Sequence, residues 1–186
     1  LSWCTGQNVR TEHSPTNLLT GLLYQYNTQI GIYHCPADYS QQEDDAGNKL
    51  PDLRFRSYNM SQSVNGYPEF DSTMAFYIPA YKKYTQVGNP SPVGLFVFID
   101  ENEDTILDAQ FGIPPKDSPY FSPDYWWDMP ANRHNQGANL SFADGHVEHW
   151  KWKVPKIVSG WIQYVRDGEE PDYDRIHDAT RGFFDN

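Results

Sequence analysis

Apolar positions in this chain change period several times, and each change marks an element. Leu18, Leu19, Leu22 and Leu23 recur at helical spacing behind Ser14 and Pro15, which predicts a short helix over 15–27, weakened at Gly21 and finished before Gly31. Ile32-Tyr33-His34-Cys35-Pro36 reads as a brief extended piece, and the polar stretch 38–52, with Glu43-Asp44-Asp45, as a solvated loop. Arg54 to Met60 alternates and predicts a strand. Asn65-Gly66 marks a turn, and 67–92, aromatic and broken by prolines, predicts irregular structure. Val93 to Ile99 is a continuous apolar run between Pro92 and Asp100, the pattern of a buried strand.

Asp144-Gly145 is a hairpin signal, because a tight turn needs positive φ and Asp-Gly supplies it at little cost. The flanking strands are expected over 139–143 and 146–152. A strict two-residue loop would pair Phe142 with Val147 and Ser141 with Glu148. That register sends Leu140 and Phe142 to one face and Trp150 and Trp152 to the other. Either both faces are covered or a bulge shifts the pairing. Residues 156–166 predict a short amphipathic helix before an acidic tail.

These elements make an α+β protein with an antiparallel β-sheet of four to six strands, a short N-terminal helix and long loops. At 186 residues a single domain over 1–186 is expected, with 155–186 as a C-terminal extension. The net charge of −11 argues against nucleic acid or an anionic membrane as partner, since both are held by Lys and Arg. No apolar run approaches the length of a membrane span. The chain opens on Leu1 rather than Met, so a missing leader says nothing about export. Cys4 and Cys35 could bridge a loop of about 32 residues or stand as two buried thiols, and the residues leave both open.

Candidate chemistry is sparse. Asp100, Asn102, Asp104 and Asp108 fall at positions one, three, five and nine of a calcium loop, but Thr105 and Phe111 stand where glycine and a bidentate Glu belong. The choice is between a loose calcium site and a solvated acidic turn. His134 and Asp144 would lie about 33 Å apart along a straight strand, so Asp144 is expected to shape a turn and His134 to bond locally. His146 and His149 should face opposite sides of their strand, which makes them a poor metal pair. Tyr120, Phe121, Tyr125, Trp126, Trp127, Trp150, Trp152 and Trp161 could build a sugar-stacking platform or serve a core or interface. No hydrolase, phosphate-loop or Cys-x-x-Cys pattern is present, so no catalytic residues and no enzyme are expected.

Five segments in order carry a resemblance. Leu1-Ser2-Trp3 with Leu18 and Gly21-Leu22-Leu23-Tyr24 leads to Tyr33-His34-Cys35-Pro36-Ala37-Asp38; Arg56-Ser57-Tyr58-Asn59-Met60 follows. Phe98-Ile99-Asp100-Glu101 with Asp104-Thr105-Ile106-Leu107-Asp108 comes next, and Asp128-x-Pro130-Ala131 precedes His134, nine residues and Asp144-Gly145. The pattern resembles the bacterial prepilin-type processing-associated H-X9-DG family of type IV pilin-like and type II secretion pseudopilin-like proteins. It covers most of 1–152, and residues after about 155 match nothing in it. The family's leader and apolar N-terminal helix have no counterpart in this sequence. The resemblance implies a pilin-like head, exported to the cell surface or periplasm and anchored in the inner membrane before assembly. It would be a structural subunit whose partners are other pilin or pseudopilin subunits, met through that helix. It also implies an oxidising compartment, hence a Cys4–Cys35 disulfide, and calcium as the one cofactor to consider. Without the helix the chain is expected to be monomeric. The alternative is a secreted calcium- or carbohydrate-binding module sharing such an anchor.

Overall fold

The computed structural model describes residues 2–6, 8–67 and 72–185. Leu1, which opens the resembling stretch, and residues 68–71 of the stretch expected to be irregular lie outside them. Nine strands are present among the described residues: β1 (Gln41–Glu43), β2 (Lys49–Leu53), β3 (Tyr58–Ser61), β4 (Phe96–Asp100), β5 (Gln110–Phe111), β6 (Tyr125–Trp126), β7 (Gly137–Phe142), β8 (Val147–Lys151) and β9 (Gln163–Tyr164). Five form one sheet in the order β5-β3-β4-β7-β8, antiparallel except for the parallel β3–β5 pair. Pairs β1–β2 and β6–β9 make two small sheets. Helices and strands together are compatible with the expected α+β class. No helix among the described residues is long and apolar enough to cross a membrane.

The apolar run forms the central strand β4, starting at Phe96 because Gly94 and Leu95 donate to the Ser91 carbonyl in a turn. A bulge between Phe96 and Phe98 lets both Phe96 and Ile99 join one core. Register partners share a face, so Asn59, Ile99, Leu140 and Glu148 lie on one side of the sheet. Tyr58, Asp100, Asn139 and His149 lie on the other, with Met60, Phe98 and Ser141.

The hairpin settles the register question. Asp144-Gly145 is at its tip, but Phe142 N donates to His146 O at 2.9 Å and Ser141 pairs with Val147. The loop is therefore three residues, Ala143 to Gly145, with Gly145 at φ 96° in the position that demands positive φ. That one-residue shift puts Trp150 opposite Ala138, on the face of Leu140 and Phe142, and all four are buried. The conflict of the two-residue loop disappears, because the extra loop residue moves every β8 side chain to the other face.

Four other expectations change. The helix over 15–27 is two single turns, α1 (Thr16–Leu19) and α2 (Tyr24–Asn27). They separate at Gly21, where the chain closes on Trp3 so tightly that a Cβ would sit 1.9 Å from the Trp3 carbonyl oxygen. The expected loop 38–52 is the β1–β2 hairpin, turned by Asp44, whose Oδ1 accepts from the Ala46 and Asn48 amides at 2.9 and 2.8 Å. In 67–92, the described part holds α3 (Ser72–Tyr77) and a 3₁₀ turn over Tyr84–Gln86. The predicted 156–166 helix is absent. Gln163 Oε1 instead takes the Ser159 amide at 2.7 Å, and Gln163–Tyr164 pairs with β6. The tail's helix is α4 (Glu170–Asp178), opened by Pro171 after Gly168 at φ 87°.

Candidate functional site

The polar groups that converge most closely lie on the Tyr58–Asp100 face. Cys35 follows a 3₁₀ turn, Ile30–Tyr33, and is held by its amide donating to Ser57 Oγ at 3.1 Å. Asp38 N donates to the Cys35 carbonyl at 2.9 Å, so Pro36-Ala37 forms a turn beneath the thiol. Asp38 itself accepts from Ser57 Oγ at 2.5 Å and from the Ser40 amide at 2.9 Å. Burial alone would raise the Asp38 carboxyl. The Ser57 hydrogen bond and the nearby Arg133 guanidinium outweigh it and hold the carboxyl below the usual range.

Asp100, the last residue of β4, is fully buried. Its Oδ1 lies 3.3 Å from Arg133 Nη2, and its Oδ2 lies 3.1 Å from His134 Nε2. Asn139 approaches Oδ2 at 3.3 Å with both its amide and its Nδ2. Arg133 also binds Glu103 at 3.0 Å and the Glu101 carbonyl at 2.8 Å. The Cys35 sulfur lies 3.3 Å from the same His134 Nε2. Tyr58, the register partner of Asp100, borders the same cluster. Burial, then the charges of Asp100 and Cys35, push its phenol well up.

Local backbone aims His134 at this point. His134, Asn135 and Gln136 have φ of 57°, 60° and 61°, three consecutive side-chain-bearing residues in left-handed conformation. Each costs roughly 1–2 kcal/mol. The turn is held where it is by its neighbours: His149 Nε2 bonds the His134 carbonyl at 2.8 Å, and Trp152 N donates to the Gln136 carbonyl at 2.8 Å. Strain of this kind collects where a side chain has to be delivered to a set position.

The expected site residues separate accordingly. Cys4 and Cys35 are free and buried, which corrects the disulfide expectation. Cys4 packs with Trp3, Leu18, Tyr33 and Ala109, while Cys35 faces His134. The calcium set does not converge. Asp100 points at Arg133 and His134, Asn102 Oδ1 accepts from the Asp104 amide, and Asp108 Oδ1 accepts from Gln110 N. Asp104 and Asp108 are exposed, and of the set only Asp100 enters a convergent group of metal-type donors among the described residues, the one with Cys35 and His134. His134 and Asp144 stay apart, as expected: Asp144 shapes the turn and binds His146 Nδ1 at 2.6 Å. His134 bonds not locally but to Cys35 and Asp100, remote in sequence. The proposed sugar platform divides: Trp126, Trp150 and Trp152 enter the core, Trp161 is exposed elsewhere, and Tyr120, Phe121 and Trp127 join Phe76, Tyr77 and Phe183 in a separate edge-to-face ring cluster.

The three-residue cluster was missed because its members belong to three different segments. The signals were present one at a time: a Cys before Pro, an Asp closing a buried strand, and the lone His that opens the motif. Chemically the arrangement is not a nucleophile relay, because a relay needs one ring nitrogen on the thiol and the other on the carboxylate. Here both crowd Nε2, and one N–H cannot fully serve two acceptors.

On the opposite side Glu101 is also fully buried, accepting from Asn59 Nδ2 at 2.6 Å and from Thr105 Oγ1 at 3.2 Å. Burial, and then repulsion from Asp128, raise it well above an ordinary carboxylate. No family model, curated protein or solved structure matches the chain.

Proposed function

We propose that this chain is the exported head of a pilin-like or pseudopilin subunit, working by assembly and surface presentation and not by catalysis. The observation that carries this reading is an apolar band on the N-terminal segment. Trp3, Cys4 and Leu18 of that segment are buried against the sheet, while Leu19, Leu22, Tyr26 and Ile32 stay exposed, Tyr26 by 81%. Exposed apolar side chains gathered in one short segment of an acidic chain suit a surface that a partner covers. They flank the end of the chain at which the family's anchoring helix would join, so a neighbouring subunit is the natural occupant. The acidic charge would then face outward and keep the heads from clumping.

The rival reading, a secreted calcium- or carbohydrate-binding module, has less behind it. Its two supports were the acidic loop, whose carboxylates do not converge, and the aromatic set, of which only Tyr120, Phe121 and Trp127 stay together, packed edge-to-face on other rings rather than open as a flat platform. Expressed from its full gene in its own host, the subunit should be trimmed by a prepilin peptidase and recovered with sheared or membrane-held assemblies. The double change Leu22→Asp with Tyr26→Asp should cut that recovery by about tenfold or more while leaving the head folded. Wild-type protein found solely as a free monomer in the medium would overturn the proposal.

A further inference from the structure

We propose that Cys35, Asp100 and His134 form a binding site for a thiolate-seeking divalent cation of the zinc class. The Cys35 sulfur, one Asp100 carboxylate oxygen and one His134 ring nitrogen all lie within 4.8 Å of one another. In a tetrahedral zinc site with bonds near 2.3 Å to sulfur and 2.0–2.1 Å to nitrogen and oxygen, the S–N edge is about 3.6 Å and the N–O edge about 3.3 Å. The observed separations are 3.3 Å for Cys35 Sγ to His134 Nε2 and 3.1 Å for His134 Nε2 to Asp100 Oδ2. Two edges are thus those of such a tetrahedron, slightly contracted, and the third, sulfur to carboxylate oxygen, lies within 4.8 Å.

Hydrogen bonding alone serves this triangle poorly. A sulfur and a carboxylate oxygen crowd one ring nitrogen, which offers either a single N–H or a single lone pair and so cannot serve both well. A cation at the centre satisfies all three at once, with Nε2 donating its lone pair, the sulfur bound as thiolate and its proton released to solvent. The surroundings suit ligation. Arg133 Nη2 sits on Oδ1 of Asp100, leaving Oδ2 for the cluster, and Asn139 supports Oδ2 from the side. Metal-bound carboxylates are commonly held in this way. His134 has 26% of its side chain exposed, which supplies an entry path, whereas Asp100 and Cys35 are closed off. A mixed sulfur, nitrogen and oxygen donor set selects zinc over calcium or magnesium, which want oxygen only. Three protein ligands leave a fourth position for water or for the Tyr58 phenol.

Such a site would tie the chain after α2 to the end of β4 and to the left-handed turn before β7. It assigns to Cys35 the cross-linking role that a disulfide would otherwise fill. The proposal goes beyond assembly and stands or falls separately from it.

The test uses the whole purified chain, chelator-treated and reduced. Cobalt(II) chloride alone should give a thiolate-to-metal charge-transfer band saturating at one equivalent. Zinc chloride should abolish that band and raise Tm by about 5–10 °C at a hundredfold excess over its dissociation constant, while calcium and magnesium leave Tm unchanged. Cys35→Ser and His134→Gln, checked for native circular dichroism, should each lose the band and the zinc shift; Cys4→Ser should keep both. Absence of the band in folded wild type would overturn the assignment. So would a band that survives Cys35→Ser but disappears in Cys4→Ser. Asp100→Asn is left out of the decisive set, because losing its charge beside Arg133 threatens folding by itself.

Discussion

The two faces of the sheet are stabilised by different means. One carries a broad aromatic core, with Phe96, Ile99, Phe111, Leu140, Phe142, Trp150 and Trp152 against Trp126, Tyr173 and Ile176, the last two from α4. The other buries a smaller set, Trp3, Cys4, Leu18, Tyr33 and Ala109, beside Phe98 and Met60. Around that smaller set lie buried Asp38, Arg54, Ser57 and Asp100. Even the carboxyls respond in opposite senses: Glu101 is raised, chiefly by burial, whereas Asp38 is lowered because partners outweigh burial. The first face is mostly apolar, though it also buries the Asn59–Glu101 hydrogen bond and borders the Lys156–Asp172 ion pair. The second closes a thin apolar layer with ion pairs and hydrogen bonds, and the one strained turn of three left-handed residues serves that second face. The faces thus differ in the depth of their apolar layer, and the Cys35, Asp100 and His134 cluster lies on the thinner side.

The largest expected effect attacks the dry face. Trp152→Ala removes a side chain only 2% exposed and leaves the Ala131 carbonyl, now bonded to its indole N–H at 2.8 Å, without a partner. The loss should be about 4 kcal/mol, read by urea denaturation. Leu18→Ala on the thin face should cost less, about 2–3 kcal/mol, since the layer around it is shallower and can collapse. Equal losses at the two positions would end the distinction between the faces.

A third prediction uses pH. A lowered carboxyl stabilises the fold above its unfolded pKa, about 3.9, and that contribution is lost as pH falls through the lower folded value. Asp38→Asn should therefore destabilise by about 2 kcal/mol at pH 7 and converge with wild type in strong acid. Glu101 has the reverse sign: its raised pKa favours the fold fully below about 4.3, and that advantage is lost as pH rises through the folded value. Wild type is expected to lose urea midpoint as pH rises above about 4.3, and Glu101→Gln should flatten that decline. If both variants shift the curve in the same direction, the two faces do not differ electrostatically in the way described.

Much of the dry face could be read in advance. The run ending at Ile99 and the Asp144-Gly145 turn are local signals, and both specified their elements. Ile157, Val158, Trp161, Ile162 and Val165 imitated an amphipathic helix, but Pro155 and Gly160 weaken one there and Gln163 found a partner strand in β6. Glu170–Asp178 carries a weak helical signal, because only Tyr173 and Ile176 are apolar on its buried side in an acidic sequence. The chemistry of the other face was less legible. Cys35 and His134 stand 99 residues apart, and no spacing rule links them. Only the packing of the N-terminal segment on the sheet brings them together.

The smallest expected effect concerns what fixes the hairpin register, on which the identity of the dry face depends. Gly145→Val places a β-branched residue at φ 96° and should cost about 1–3 kcal/mol. Nothing lies within 4 Å of the added Cβ, so the penalty is conformational and not a clash. If burial of Trp150 and Trp152 fixes the register, the variant keeps its pairing and the tryptophan emission stays blue, with only a lower denaturation midpoint. If the three-residue loop fixes it, the strained tip slips toward a two-residue turn and carries both tryptophans to the thin face. Emission then shifts red while circular dichroism still reports a sheet. The first outcome is expected, because burying two indoles is worth more than the turn can cost. The second would mean that the difference between the faces is set at the hairpin tip.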